Sequence, residues 1–231
     1  MRRDDPNLGY LLVVANALGD LRSELVFVGG SVAGLLLTDP LAEGVRATKD
    51  VDAIVEATTL GEYHQVEKQL PELGFMRDAS TEVICRWTYR TTGVLFDLMP
   101  TDPAVLGFSN PWYPEAVKTA TCVRLSDRME VRIISAPAFV ATKLEAFISR
   151  GGGDLLSSHD LEDILNVVDG RASMVEELKV ASDSLQKYVR EQFKILLSRP
   201  NLENYLPGLL TDESRVGIVL TRLRRMAAQS D

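Results

Sequence analysis

Two aspartates, Asp50 and Asp52, stand two residues apart at the start of an apolar segment, in the sequence KDVDAIV at residues 49–55. Alternate residues of an extended strand point to the same face, so both carboxylates share one face and the residues between them face the core. Two carboxylates about 7 Å apart on one face repel each other and lose hydration. A hard divalent cation such as Mg²⁺, which prefers oxygen ligands, would offset both costs. The spacing therefore predicts a metal site.

A third acid, Asp97, interrupts the otherwise apolar segment GVLFDLMP at residues 93–100. If this strand lies beside the strand 50–55, three carboxylates converge. That is the ligand set for two metal ions, which clamp the attacking and leaving oxygens of a phosphoryl or nucleotidyl transfer. The alternative for each acid taken singly is a strand-end or edge position that faces water.

Two glycines and a serine precede the acids, in the sequence FVGGSVAG at residues 27–34. We expect Gly29 and Gly30 to lie at the hinge between a strand and a helix, with Ser31 at the helix N-cap. Glycine allows close approach of a phosphate, and the first N–H groups of a helix attract anions. The segment therefore predicts a triphosphate site, and the alternative is a tight turn with a helix cap.

The elements that would position these residues follow from the hydrophobic pattern. Apolar runs and alternation dominate up to about residue 135, and helical periodicity dominates from residue 136. We expect an α/β (α+β) protein with a mixed sheet flanked by helices and an α-helical C-terminal part, divided into domains 1–135 and 136–231. The predicted strands lie at about 25–28, 50–55, 81–90 and 93–100, with a further strand pair within 122–135 that turns at residues 126–128. The predicted helices lie at about 6–18, 31–37, 59–74, 137–150, 158–169, 173–197 and 212–228.

Composition excludes some classes of protein. The apolar fraction of 45% in 231 residues is that of a globular protein, and the net charge of −8 argues against a broad nucleic-acid-binding surface. No apolar run approaches the roughly 18 residues that span a bilayer, so we expect no membrane partner. Cys85 and Cys122 provide neither a disulfide framework nor metal-ligand spacing. They favour a reducing, cytoplasmic location.

The GGS turn, the D-x-D pair and the isolated strand acid together resemble the nucleotidyltransferase fold of the DNA polymerase β superfamily. Within it, VFVGGSVAGLLL…RATKDVDAIV and the downstream TKLEAFISRGGGDLLSSHDLEDIL resemble the AbiEii-type nucleotidyltransferases, which include toxins of bacterial toxin–antitoxin pairs. The resemblance covers residues 25–169. The aminoglycoside nucleotidyltransferases share the front part, whose R-x-T-x-D-x-D arrangement is seen here at residues 46–52.

The resemblance implies nucleotidyl transfer from a nucleoside triphosphate with Mg²⁺. The D-x-D acids of the family are metal ligands, which matches Asp50 and Asp52, and the third acid maps to Asp97. A lysine and an aspartate that are important for activity in the family's helical half match Lys143 and Asp160.

The periodicity of the two helices gives Lys143 and Asp160 an independent interpretation. Lys143 lies inside the apolar stripe of its helix, and Asp160 lies on the buried face of the next helix. Opposite charges on two inward faces predict an ion pair that presents a cation to the triphosphate. The alternatives are a lysine that extends to water, a capping box between Asp160 and Ser157, and a structural buried pair.

Two further basic groups have open roles. Arg46 and Lys49, directly before the acid strand, either contact phosphate or neutralise the acids. Arg215, Arg222 and Arg225 on the last helix form either a solvated basic face or a strip that contacts RNA.

The sequence thus favours a Mg²⁺-dependent enzyme that transfers a nucleoside monophosphate to an acceptor hydroxyl. The acceptor would be an RNA 3′ end such as that of tRNA, a protein or a small molecule, and an antitoxin protein is an expected partner if the chain is a toxin. The alternatives are an antibiotic-modifying transferase of the aminoglycoside type and a non-catalytic nucleotide-binding module.

Overall fold

The computed structural model of the chain describes residues 5–42, 44–77, 83–149, 154–155 and 158–228. The chain divides into two compact units. The first contains Met1–Val32 and Arg46–Ser135, and the second contains Ala33–Val45 and Ala136–Asp231. Residues 33–45 therefore group with the C-terminal helices, although they follow the first strand in sequence.

In the described part of the first unit, seven strands form one mixed sheet in the order β3-β4-β5-β2-β1-β7-β6. Strand β2 pairs in parallel with β5, and β1 pairs in parallel with β7, whereas the other neighbours are antiparallel. The strands are β1 (Leu25–Val28), β2 (Asp50–Val55), β3 (Phe75–Arg77), β4 (Arg86–Tyr89), β5 (Leu95–Pro100), β6 (Thr121–Ser126) and β7 (Met129–Ile133).

The centre of this sheet is apolar. All four residues of β1 are buried, and β2 buries Val51, Ala53 and Ile54 while its two aspartates stay partly exposed. Phe96 and Leu98 on β5 are fully buried. The alternation on β2 follows from the twofold period of a strand, and it places the acids on one face while the apolar residues anchor the strand in the core.

Helices flank the sheet and form the second unit. In the first unit, α3 begins at a complete capping box between Thr59 and Glu62. The α-helices are α1 (Leu8–Ala17), α2 (Ala33–Leu36), α3 (Leu60–Glu67), α4 (Pro103–Leu106), α5 (Tyr113–Lys118), α6 (Ala136–Ser149), α7 (His159–Gly170), α8 (Met174–Lys179), α9 (Asp183–Leu197), α10 (Leu202–Leu209) and α11 (Val216–Ala227).

The segment 33–45 is held to the C-terminal helices by hydrogen bonds within the second unit. The backbone N–H groups of Thr38 and Asp39 both donate to the Gly170 carbonyl, at 2.8 and 2.9 Å. Arg171 donates to the Leu36 carbonyl at 2.7 Å. These contacts join the chain after α2 to the end of α7, which explains why this short segment belongs to the helical unit.

The predicted α/β class, with a mixed sheet and a C-terminal helical part, is confirmed. The predicted helix 173–197 is two helices, because Val180 and Ser182 leave helical geometry between α8 and α9. Helix α10 was not predicted, since Pro207 inside it is typical of a loop. Residues 81–82 of the predicted strand 81–90 lie outside the described residues. None of the described helices is long and apolar enough to cross a membrane.

Candidate active site

Three carboxylates meet on strands β2 and β5. The parallel register pairs Asp52 with Asp97, and Asp50 lies two residues earlier on β2. One carboxylate oxygen from each of the three lies within 4.8 Å of the other two. The structure therefore brings the three acids predicted from the sequence into one group, which we call the acid cluster.

The donor set of the acid cluster fits a hard divalent cation. All three groups offer only oxygen, and the side chain of Asp50 is 33% exposed, so an ion can enter from water. Asp97 is buried, and Thr48 Oγ1 donates a hydrogen bond to Asp50 Oδ1 at 2.5 Å. A site with oxygen ligands and one fixed carboxylate is able to hold a hard divalent cation, whose ligands would be Asp50, Asp52 and Asp97.

Gly29 lies directly against the acid cluster. Its φ is +70°, and a Cβ at this position would stand 2.0 Å from Asp52 Oδ2 and 2.8 Å from Asp52 Cγ. The antiparallel register of β1 and β2 pairs Val28 with Asp52, so the residue that follows Val28 must pass the carboxylate closely. Only glycine combines this backbone conformation with this approach. Residue 29, the first glycine of the GGS turn, must therefore be glycine because the Asp52 carboxylate occupies the space of any side chain.

The rest of the GGS turn differs from the prediction. Gly30–Val32 form a 3₁₀ turn, and only four residues of α-helix follow, in α2. Ser31 is fully buried, and its hydroxyl donates to the Val28 carbonyl at 3.3 Å. The prediction that Ser31 caps an α-helix is wrong because the chain tightens into i→i+3 bonding at this point, and so short a helix adds little macrodipole. A phosphate contact from the Ser31 hydroxyl would require that bond to break.

Asn7 connects the two segments that carry the predicted site, and sequence reasoning missed it. Its side chain is fully buried, and its amide nitrogen donates to the carbonyls of Gly30 at 3.3 Å and Arg46 at 2.9 Å. Its amide oxygen accepts from the Thr48 N–H at 2.8 Å. Asn7 occupies the N-cap position of α1 without capping it. The side chain instead ties the GGS turn to the loop before β2.

Arg86 on β4 is a second residue that sequence reasoning missed. Its Nε and Nη2 atoms donate to the two oxygens of Asp97 at 2.8 and 2.7 Å, and Nη2 lies 3.4 Å from Asp50 Oδ2. The hydrogen bonds that Arg86 donates to Asp97 raise the pKa of Arg86, so the guanidinium stays charged. The available signal was a lone arginine in the apolar and aromatic segment VICRWTY, on the strand that forms a hairpin with Asp97.

Cys85 is buried beside Arg86, and its surroundings disfavour the reactive thiolate form. Burial raises the pKa of the Cys85 thiol to about 12, and the negative charges of Asp97 and Asp52 act in the same direction. A thiol with so high a pKa stays protonated at neutral pH and is a poor nucleophile. The groups of the acid cluster themselves all offer oxygen.

Arg46 and Lys49 precede the acid cluster in the chain. Arg46 is partly exposed and donates from Nη1 to the Ala47 carbonyl at 3.2 Å, and its own carbonyl accepts from Asn7. Lys49 is exposed. Contact of either side chain with a nucleotide stays a prediction.

Lys143 and Asp160 form an ion pair in the second unit, at 2.9 Å. Asp163, which sequence reasoning did not single out, lies 2.7 Å from the same ammonium and is 1% exposed. Burial lowers the pKa of Lys143, but Asp163 and Asp160 outweigh it, and the net shift is upward. The Lys143 side chain is 12% exposed and lies against both carboxylates, so it does not extend to water. The catalytic roles of Lys143 and Asp160 stay predictions.

The alternative role of Asp160 was a capping box with Ser157, but another residue is the N-cap of α7. The N-cap of α7 is Ser158, whose hydroxyl accepts from the Leu161 N–H at 3.2 Å. Ser157, the predicted partner in a capping box, lies outside the described residues, as do residues 150–153 of the same motif.

The arginines of the C-terminal segment do not form one exposed basic strip. Arg215 is buried, and its Nε donates to both oxygens of Asp169 while Nη2 donates to Asp39 at 2.6 Å. Arg222 donates to the carbonyls of Val168 and Asp169. These two side chains therefore connect elements of the second unit to one another. The sequence analysis did not predict these contacts, because helix periodicity does not reveal which polar groups an arginine meets.

Comparison with known proteins gives a fold. The chain is similar to an antigenic nucleotidyltransferase-like protein from Paracoccidioides brasiliensis, known from a crystal structure, with a TM-score of 0.51 and 21% identity over 91% of this chain and 96% of that chain. No protein-family model matches the chain, and no curated protein sequence matches it. The fold is thus that of a nucleotidyltransferase-like protein, with an acid cluster able to hold a metal ion.

Proposed function

We propose that the protein is a metal-dependent nucleotidyltransferase, which transfers a nucleoside monophosphate from a nucleoside triphosphate to an acceptor hydroxyl. The observation that carries the proposal is the convergence of Asp50, Asp52 and Asp97 within 4.8 Å across two paired strands. Such a concentration of carboxylates is costly unless cations compensate its charge, and a divalent cation held there would in turn attract a polyphosphate. The nucleotidyltransferase-like fold supports the same chemistry.

In the proposed reaction, the acceptor oxygen forms a bond to the α-phosphorus while the bond from that phosphorus to the bridging oxygen breaks. Pyrophosphate leaves with the electron pair, and the hydroxyl proton passes to a base. Mg²⁺ supplies charge neutralisation at the phosphate oxygens when bound, and a second ion is expected in the full complex. The chain's own contribution is to fix three carboxylates beside the partly exposed backbone of Gly29, whereas Gly30 is buried and its carbonyl accepts a hydrogen bond from Asn7.

The roles of the three acids follow from their surroundings. Asp50 is fixed by Thr48 and is partly exposed, so it is placed to hold an ion at the mouth of the site. Asp52 lies between Gly29 and Asp97 at the centre of the acid cluster. Asp97 has both oxygens engaged by Arg86. That engagement favours a fixed ligand over a mobile general base for Asp97.

The finer assignments belong to the same proposal. The resemblance to the AbiEii-type enzymes supports a toxin that acts with an antitoxin and assigns activity to Lys143 and Asp160. Ser31, Arg46 and Lys49 complete the proposed nucleotide-binding set. An RNA 3′ end, a protein hydroxyl or a small molecule would serve as acceptor.

The test is incubation with each α-labelled nucleoside triphosphate, Mg²⁺, total RNA and a cell lysate, followed by gel analysis. Asp52→Asn keeps the shape of the side chain and removes its charge, so we expect labelling to fall by ~10²-fold or more. Asp127→Asn is the matched control, since this exposed aspartate lies in the β6–β7 turn. Full labelling by a folded Asp52→Asn protein would remove the proposed mechanism.

The labelling experiment, together with a calorimetric titration, separates the two alternative functions. A labelled small molecule in the presence of aminoglycosides would indicate an antibiotic-modifying transferase. Mg²⁺-dependent triphosphate binding by calorimetry, with no labelled product, would indicate a non-catalytic nucleotide-binding module.

A further inference from the structure

The acid cluster carries its own cation. Arg86 on β4 stands opposite Asp97 on β5 in the antiparallel register, so the hairpin itself aims the guanidinium at the carboxylate. The fork of Arg86 engages both oxygens of Asp97, and one arm reaches Asp50. The side chain is 22% exposed, so this contact is only partly screened by water. A bidentate arginine–carboxylate pair has a defined geometry as well as a strong attraction.

Charge balance gives this contact a consequence. Three carboxylates carry −3, and Arg86 reduces the total to −2, which a single divalent cation neutralises. A second divalent cation would have to enter a site that no longer has negative charge to offset it. Repulsion between a guanidinium and a dication a few ångströms away is large at the effective dielectric of so largely buried a site.

We propose that Arg86 is the internal counter-cation of the acid cluster: it positions Asp97 and Asp50, and it restricts the nucleotide-free protein to one divalent ion. This inference rests on the metal site of the proposed function. A second ion then requires charge that the triphosphate brings. Arg86 is thus a positioning residue whose charge sets the metal stoichiometry.

Metal binding without nucleotide tests this directly. Mn²⁺ is titrated into the full chain, and free Mn²⁺ is counted by electron paramagnetic resonance for the wild type, Arg86→Gln and Arg86→Lys. We expect one Mn²⁺ in the wild type. In Arg86→Gln we expect a second bound ion or roughly tenfold tighter binding of the first, because a positive charge has been removed. Arg86→Lys keeps the charge and loses the fork, so its stoichiometry should match the wild type.

Thermal unfolding provides the second readout and the control for folding. Arg124→Gln removes an arginine that contacts Glu130 on the exposed β6–β7 hairpin, away from the acid cluster. With a chelator, Arg86→Gln should unfold at a lower temperature than Arg124→Gln, since three carboxylates then repel without compensation. Added Mn²⁺ should raise the unfolding temperature of Arg86→Gln more than that of either the wild type or Arg124→Gln.

The role of Arg86 would be overturned if Arg86→Gln bound Mn²⁺ as the wild type does or more weakly, or if Mn²⁺ raised the unfolding temperatures of the two proteins equally. Neither result would affect the proposed function, which the transfer assay tests separately. Absence of nucleotide transfer in the wild type, together with the expected Mn²⁺ differences, would reject the proposed function and keep the inference. Absence of Mn²⁺ binding in every variant would reject the inference, and absence of nucleotide transfer in the same wild-type protein would reject the proposed function as well.

Discussion

Replacement of Gly29 by alanine tests whether the turn and the acid cluster form one unit of structure. The Cβ of Gly29→Ala would stand 2.0 Å from Asp52 Oδ2, whereas ordinary contact begins at 3.4 Å. The carboxylate must therefore move by about 1.4 Å, or the turn must open. Either change displaces Asp52 from the other two acids, and we expect loss of the metal response as well as of stability.

The energy of this change has two parts. An alanine with φ near +70° costs ~1–2 kcal/mol of backbone strain. Displacement of Asp52 from its rotamer adds ~1 kcal/mol, so the total is ~2–3 kcal/mol. Gly107→Ala supplies the matched control, because Gly107 has φ +80° and a Cβ added there would meet no described atom within 4 Å. Gly107→Ala should therefore lose only the ~1–2 kcal/mol of unfolding free energy that the backbone strain costs.

The assay is urea unfolding of Gly29→Ala and Gly107→Ala, with and without Mn²⁺, and of Asp52→Ala alone and combined with Gly29→Ala. Relative to Asp52→Ala, the double variant should lose only the backbone strain, so the cycle should give a coupling of ~1 kcal/mol between the two positions. If Gly29→Ala and Gly107→Ala lose equal stability and Mn²⁺ stabilises Gly29→Ala as it does the wild type, the described contact of Gly29 with Asp52 is refuted.

Two other predictions follow from buried polar groups. Asn7→Leu removes three hydrogen bonds to backbone groups of Gly30, Arg46 and Thr48, so we expect a loss of ~3 kcal/mol in urea unfolding and weaker Mn²⁺ binding; an unchanged Mn²⁺ affinity would show that Asn7 does not position the acids. Lys143 has a pKa raised above its ordinary 10.5, so its ammonium contributes stability in full below about pH 10.5 and loses that contribution as the pH rises through the folded-state pKa. The difference in unfolding free energy between the wild type and Lys143→Met should be ~3 kcal/mol at pH 8. This difference should become smaller above pH 10.5, and a difference that stays constant up to about pH 11.5 would contradict the prediction.

The acid cluster was predictable because its information is local. The period of a strand places Asp50 and Asp52 on one face, and an acid inside an apolar run marks Asp97. The pairing of β2 with β5 was an assumption, and the register that sets Asp52 opposite Asp97 confirms it. The glycine at residue 29 was identified as a close approach, although the group it approaches is a carboxylate of its own chain.

The parts that the sequence did not reveal depend on distant partners. Asn7 is an ordinary polar residue before a helix until the loops at residues 30 and 46–48 are known to surround it. Arg86 becomes a partner of the acids only through the hairpin register. Helix α10 and the division of residues 173–197 depend on local breaks that periodicity overlooks. Sequence patterns indicate which face a residue occupies, and the choice of its partner is made by the tertiary fold.

The attachment of residues 33–45 to the C-terminal helices has a consequence for how the chain folds. Arg171 reaches Leu36 across 135 residues, and Arg215 reaches Asp39 across 176 residues. Contacts between such remote parts of a chain close large loops, which slows folding. During synthesis, the segment that follows the first strand is made early but acquires these partners only after residues 170–171 and 215 have been made. A fragment that ends at residue 135 would therefore present this segment to chaperones and proteases without the groups that normally cover it.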